Sequence, residues 1–315
     1  MRISIIIVNH NTKQLLKDCL DSIKVQNQNN ETEVVVVDNA SSDGSGDMVN
    51  KYFPEVKLIQ NDFNVGFGAA NNQGARIASG DFLLFVNSDA TLQKNALIEI
   101  EKSMANTENA GAVGFKIINR DSSLQPSCGS FPTLLNLLTE TLFLDRSIQL
   151  KSNYHIRKSG VYQNEFSPDW VSGSCFIISK QLFNKVAGFD DKFFLYVEEV
   201  DLCYRIKKNG YRNIYFPIEM VVHNNRASSI SKNTAIIFTH HNLIHFFKKH
   251  HGNLSASVIY LLFILKSCIY SIIGMICGIF NLEQMQKARS YLFLLITLLS
   301  KKQYNNYENS IKQQN

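Results

Sequence analysis

Phe82, Leu83, Leu84, Phe85 and Val86 follow one another without a polar interruption and run into Asn87, Ser88 and Asp89. A strand with no polar alternation is covered on both faces, so it belongs inside a sheet that carries helices on either side. Residues 3–8, 34–37 and 56–59 read in a similar way, and residues 112–117 supply a fifth candidate strand. After the first run, Leu15, Leu16, Cys19, Leu20 and Ile23 recur at helical spacing, with Asn11 or Thr12 as N-cap. This alternation predicts an α/β fold, a Rossmann-like and mostly parallel sheet with flanking helices. Ligands of such sheets bind beyond the carboxyl ends of the strands, which is where Asp89 falls.

Residues 119–168 are richer in Ser, Asn and Gln and predict loops and short helices over the site. Order returns over residues 170–179. A helix near 180–186, a loop at 188–191, a helix over about 198–209, a strand over 211–217 and a short extended piece at 221–223 follow. The composition, 45% hydrophobic and 19% charged, fits a folded chain and excludes global disorder. Six cysteines without a CxxC pair read as buried packing residues of a reduced, cytosolic domain. No secretory signal is expected, because the first apolar run is short enough to be a strand.

The net charge of +5 is unevenly placed. Residues 240–315 hold eight Lys/Arg and two Asp/Glu, against 24 basic and 25 acidic residues in the remainder. No nucleic-acid-binding signature accompanies these charges. Basic residues interleaved with apolar runs point instead to an anionic membrane surface. Residues 254–280 contain one charge, Lys266, and are long enough to cross a bilayer. A central Lys costs about 2.5–3.5 kcal/mol on insertion scales. Ser267, Ser271, Gly274 and Gly278 share a stripe suited to close helix contact. Residues 291–299 are too short to cross. The expected organisation is a catalytic unit over 1–239, with a nucleotide-binding half to about 120 and an acceptor-binding half to 239. A basic, apolar helical tail over 240–315 follows it. The tail either lies on the membrane or spans it once, at the cytoplasmic face of the inner membrane.

Several side chains carry chemistry. Asp38 closes the second strand, where a carboxylate can accept from a base N–H or a ribose hydroxyl, or can cap the turn that follows. Residues 64–74 are rich in Gly and Asn but lack a Gly-Lys-Ser/Thr ending, so they are not a Walker loop. Their glycines still permit close backbone approach to a ligand at a helix N-terminus. Asp89 can bridge Mg2+ or Mn2+ to a diphosphate, since these hard ions prefer oxygen donors, or can cap a helix beginning near Leu92. Glu198, Glu199 and Asp201 open a helix, where acids favour the macrodipole. Three within four residues, beside Phe193, Phe194, Leu195 and Tyr196, also suggest an active-site wall whose crowded carboxylates raise one another's proton affinity. His223, after Val221 and Val222, is either a satisfied core histidine or a ligand. His241 and His245 share a helix face and could bind metal, and an interfacial polar face with Lys248 and Lys249 is the plainer reading.

Together the segments SIIIVNHNT, VVVVDNASSDGS, NVGFGAANNQG, LLFVNSDA, DWVSGSCFIIS, GFDDKFFLYVEEVDLCYRIKKNGY and VVHNNRAS resemble glycosyltransferase family 2, in particular its rhamnosyltransferase-like bacterial branch. The match runs from residue 3 to about 229. The resemblance implies a GT-A fold, a nucleoside-diphosphate sugar donor and inversion at the anomeric carbon. It implies that Asp38, with Asn39 beside it, meets the donor base, and that Asn9, Asn11, Asn64, Gly66 and Asn87 line the nucleotide sugar. Asp89 and His223 would hold Mg2+ or Mn2+, Glu199 or Glu198 would be the base, and Asp201 would orient the acceptor or support that base. Trp170 and Gly173 would face the acceptor. Two departures stand out: Asn87 and Ser88 leave the metal chiefly on one carboxylate, and Glu stands at 199 where Asp is usual. dTDP-rhamnose is the first donor to expect, ahead of UDP-hexoses. The expected acceptor is a glycan or lipid-linked oligosaccharide of cell-surface polysaccharide synthesis. A sugar nucleotidyltransferase and a non-catalytic scaffold of polysaccharide assembly are the rival readings, the former disfavoured by the lack of a basic phosphate-gripping loop.

Overall fold

The computed structural model describes residues 2–26, 32–105, 107–142, 153–223, 232–278 and 281–313. Its strands are β1 (Ile3–Asn9), β2 (Thr32–Asp38), β3 (Lys57–Gln60), β4 (Phe82–Asn87), β5 (Ala90–Leu92), β6 (Ala110–Ile118), β7 (Leu124–Gln125), β8 (Cys128–Gly129), β9 (Trp170–Val171), β10 (Cys175–Ser179) and β11 (Arg212–His223). Its helices are α1 (Lys13–Lys24), α2 (Ser45–Tyr52), α3 (Phe67–Ile77), α4 (Ala96–Ala105), α5 (Leu134–Thr141), α6 (Lys180–Lys185), α7 (Glu198–Lys208), α8 (Lys232–Gly278), α9 (Leu282–Leu299) and α10 (Lys301–Lys312).

The main sheet has the order β3-β2-β1-β4-β10-β6-β11-β5, with β7 paired to β6. From β3 to β4 every pairing is parallel. Beyond β4 the sheet is mixed, because β10 enters antiparallel between β4 and β6. Alternate residues of the apolar strands serve the two faces. Ile5 and Ile7 pack with Leu16 and Leu20 of α1 and Met48 of α2, whereas Ile6 and Phe85 pack with Ala75 of α3 and with α6 and α7. Both faces are therefore buried, as uninterrupted apolar strands require. Gly74 lets α3 lie close on the sheet, since a Cβ there would meet Ile6 Cγ2 at 2.6 Å.

Three local readings are corrected. No helix begins near Leu92: β5 occupies 90–92 and α4 starts at Ala96, so Asp89 caps nothing. The stretches 211–217 and 221–223 form one strand, β11, whose register shifts between Phe216 and Val221, around a proline with no N–H for the ladder. Cys277 is exposed, whereas Cys19, Cys128, Cys175 and Cys203 are buried.

The tail is built from α8, α9 and α10. Gly252, at φ 85° and ψ 173°, breaks the helical path inside α8. The expected small-residue stripe faces α9: a Cβ on Gly274 would stand 2.8 Å from that of Ala288, and one on Gly278 would crowd Met285. The histidines of α8 do not form the exposed polar face that composition suggests. His240 is buried against Phe263, His241 stacks on Tyr304 with centroids 3.8 Å apart, and His245 meets the Phe193 ring.

Candidate active site

A cavity of about 340 Å³ opens at the carboxyl ends of β1 and β4. Its acidic corner is a product of strand register. In the antiparallel β5–β11 pair, His223 stands opposite Ala90, which brings it beside Asp89 at the end of β4. His223 Nε2 lies 2.9 Å from Asp89 Oδ1. Its Nδ1 lies 3.1 Å from Gln125 Oε1 on β7, and Asn87 Nδ2 approaches Nε2 at 3.3 Å. In the tautomer whose Nδ1–H donates to Gln125, Nε2 is left as the ligating nitrogen.

The opposite wall is the start of α7. Tyr196 and Val197 both adopt left-handed backbone, φ 67° and 72°, immediately before Glu198. Such a conformation costs about 1–3 kcal/mol per residue and persists only where its surroundings impose it. Asn242 of α8 imposes it here, donating to the carbonyls of Leu195 at 2.8 Å and Tyr196 at 2.9 Å. The turn aims Glu198 and Glu199 into the cavity. Burial raises the proton affinity of both, and the Glu199 charge raises Glu198 further. Glu199 is brought to about 7.

The floor depends on amides. Asn39 Nδ2 donates to Asn64 Oδ1 at 2.7 Å, which also accepts from Gly66 N at 2.9 Å. Gly66 sits at φ +90°, and a Cβ on it would meet Phe194 O at 2.5 Å, so no other residue fits.

Asn39, Asn64, Gly66, Asn87, Asp89, Gly173, Glu198, Glu199 and His223 thus share one cavity. Five other expected residues do not line it. Asn9 and Asp38 lie one layer behind, with Asn9 Nδ2 donating to Asp38 Oδ1 at 2.9 Å while Ser41 bonds both. Asn11 supports the same turn by accepting from Ser42 N at 2.8 Å. Trp170 turns its indole N–H to Ser130 O at 3.0 Å and packs on Tyr154, away from the cavity. Asp201 is on the other face of α7, fully buried and held by Arg205 (2.8 Å), Lys249 (2.7 Å) and His250 (2.7 Å). Burial alone would raise its pKa, but His250, Arg205 and Lys249 bring it down to about 2. His10, Gln125, Ser172 and Ser174 line the cavity without having been singled out. Only His10, inside the polar turn after β1, carried a signal.

Among the described residues, seven buried side-chain polar atoms lack a hydrogen-bond partner, and three of them, Asn87 Oδ1, Glu198 Oε2 and Glu199 Oε2, belong to residues that line the cavity. Each such atom costs about 1–3 kcal/mol, and three on residues around one cavity mark its wall as a place where polar groups are kept at a cost to stability. Asp89 and His223, with the Asn87 oxygen beside them, fit a hard divalent cation. Two protein ligands would leave a bound cation's other positions to phosphate oxygens, the donors Mg2+ sites commonly use.

A family model described as Glycosyl transferase family 2 matches residues 4–186. Among curated relatives, the N-acetylglucosaminyl-diphospho-decaprenol L-rhamnosyltransferase of Mycobacterium tuberculosis (strain CDC 1551 / Oshkosh) is 26% identical over 225 residues, covering 68% of this chain and 73% of the relative. Rhamnosyltransferase WbbL of Escherichia coli (strain K12) is 26% identical over 228 residues, covering 70% of this chain and 82% of WbbL. Among solved structures, the mannosyltransferase PcManGT from Pyrobaculum calidifontis, in complex with GDP-Man and Mn2+, superposes with a TM-score of 0.59 at 16% identity. That match covers 96% of this chain and 88% of PcManGT, and it places the fold among the GT-A glycosyltransferases.

Proposed function

We propose, from the premise that this chain belongs to glycosyl transferase family 2 and is a glycosyltransferase, that it is an inverting, metal-dependent enzyme. Its donor would be a nucleoside-diphosphate sugar, dTDP-rhamnose first and UDP-hexoses next, and its acceptor a lipid-linked glycan of cell-surface polysaccharide synthesis. The observation that carries the reading is the meeting, in one cavity, of the Asp89–His223 pair with Glu199, whose carboxylate has an unpartnered oxygen.

Asp89 and His223 would hold Mg2+ or Mn2+, which when bound neutralises charge gathering on a leaving diphosphate. Asn64, Gly66 and Asn39 shape the floor against which the nucleotide lies. Glu199 takes the proton of the acceptor hydroxyl as that oxygen attacks the anomeric carbon from the side opposite the diphosphate. A proton affinity near neutrality suits that step. Glu198, held protonated by burial and by its neighbour's charge, is the weaker candidate for the base. One displacement with one base gives an inverted product. The two named relatives are rhamnosyltransferases, one of them acting, by its name, on a diphospho-decaprenol acceptor, which supports the donor and acceptor classes. The basic tail supports a site of action at the cytoplasmic face of the inner membrane.

The deciding experiment is a screen of nucleoside-diphosphate release across dTDP- and UDP-sugars, with and without Mn2+, using a lipid-linked glycan acceptor. Release should require both the cation and one of these donors, and dTDP-rhamnose should lead. Equal release in the presence of a chelator removes the metal from the reading, and pyrophosphate as product removes the transfer itself.

A further inference from the structure

We infer that α5 and the second half of α8 form one apolar face that lies in the plane of an anionic lipid leaflet, and that α8 does not cross the membrane. The inference deepens the membrane association proposed above by choosing between its two forms.

By length and composition α8 could span: residues Asn233–Gly278 form a helix of mean hydropathy 2.1 over its most apolar window. Its packing opposes that arrangement. Before the Gly252 break, Lys249 is bound to Asp190 and Asp201, each at 2.7 Å. After the break, Lys266, the one charge in the apolar run, is buried and reaches Glu140 of α5 at 3.2 Å. Tyr270 OH donates to Glu140 O at 3.2 Å. α5 itself is rooted in the core that contains Trp170, through Leu137. The middle of the apolar helix is therefore fastened to the water-soluble part of the protein. A transmembrane path would pull Lys266 about 15 Å from the interface, breaking its ion pair with the half-buried Glu140 and leaving the ammonium in hydrocarbon.

Large apolar side chains stay exposed on these helices: Leu254, Leu261, Leu265 and Ile276 along one side of α8, and Leu135 and Leu138 on α5, are between 37% and 81% exposed, and Leu282, Leu292, Ile296 and Leu299 leave part of α9 uncovered as well. Contiguous apolar faces of this kind on a folded protein mark interaction surfaces. The occupant is named by charge: of the eight basic side chains in residues 240–315, Lys249, Lys266 and Lys312 are ion-paired within the protein, and exposed Lys287 stands over the Tyr270 ring, 5.3 Å from its centroid. An apolar face with an exposed cation beside it fits a leaflet of anionic lipid. An in-plane dock also holds the cavity at a constant height above the leaflet, within reach of the head group of a lipid-linked acceptor.

The test uses the purified full chain and phosphatidylcholine vesicles with or without phosphatidylglycerol. The chain should float with the anionic vesicles. Flotation should fall at least ten-fold for Leu261→Asp with Leu265→Asp, and for Leu135→Asp with Leu138→Asp, each pair first checked for an unchanged thermal melt. Unchanged flotation in either folded pair overturns the inference, as does a face that forms concentration-dependent dimers and leaves vesicles bare. If a pair fails to fold, sidedness decides. With Cys268 and Cys277 replaced by Ser, Gln284→Cys should react with an impermeant maleimide from the same membrane face as Asp62→Cys. Reaction from the far face, or from neither, overturns it. No turnover is needed, so an inactive enzyme leaves this result standing, and a failed dock leaves the transferase reading standing.

Discussion

Glu199 and Asp201 stand two positions apart in the first turn of α7, under the same helix dipole, yet their proton affinities are moved in opposite directions. The dipole favours a negative charge at both, so it cannot be the cause. The difference comes from what each faces. Glu199 looks into a cavity that, among the described residues, is lined by no Lys or Arg. Asp201 looks onto α8, whose Lys249 and His250 join Arg205 around it. One face of the turn sets a carboxyl of raised proton affinity beside the cavity, and the other holds the helix to its neighbour. A run of acids is thus not a unit of function.

The largest effect should separate the faces by chemistry. E199Q is expected to lower kcat by about 10²–10⁴, the range for loss of a general base, while donor affinity changes less than two-fold by calorimetry. A variant keeping more than a tenth of the rate hands the role to Glu198, and the parallel measurement on E198Q then identifies it.

D201N should do the reverse. Removing one partner of a buried ion cluster costs about 3–5 kcal/mol, read as a lowered denaturant midpoint, with turnover per folded molecule retained. A matching collapse in kcat with unchanged stability would return Asp201 to the reaction.

Titration sharpens the same contrast. Asp201 is depressed when folded, so its stabilisation is present above its unfolded pKa of about 3.9 and is lost as pH falls through about 2. Glu199 is raised when folded, so its contribution is complete below about 4.3 and is lost as pH rises through about 7. Through that same upper range kcat/KM should climb, as the base becomes ionised. E199Q should erase the stability loss between pH 4.3 and 7 and leave the acid limb intact, which urea melts across pH can decide.

The smallest expected effect concerns Asn242. Its two hydrogen bonds are worth about 0.5–1.5 kcal/mol each, so N242A should relax the Tyr196–Val197 turn. The expected result is a kcat about ten-fold lower with donor KM nearly unchanged. If KM rises instead and kcat holds, the turn serves binding rather than placement of the base.

Much of this was readable in the chain. β1, β2, β4 and β6 announce themselves because strands buried on both faces have no polar alternation, and Asp89 follows from its place after β4. The division of the α7 acids was hidden, because two of the three partners of Asp201, Lys249 and His250, arrive from α8, almost fifty residues later. Asp38 and Asn9 were visible as polar strand ends, but spacing cannot say that they bond each other. β5 was missed since three residues are too few for any period. The apolar length of α8 was plain, and the bond that tethers it, Lys266 to Glu140, was not.

The β5–β11 register carries a consequence for biosynthesis. Asp89 waits at the end of β4 until His223 emerges from the ribosome more than a hundred residues later and zips against Ala90. The Asp89–His223 corner of the cavity is therefore completed only when β11, the last strand of the sheet among the described residues, is laid down.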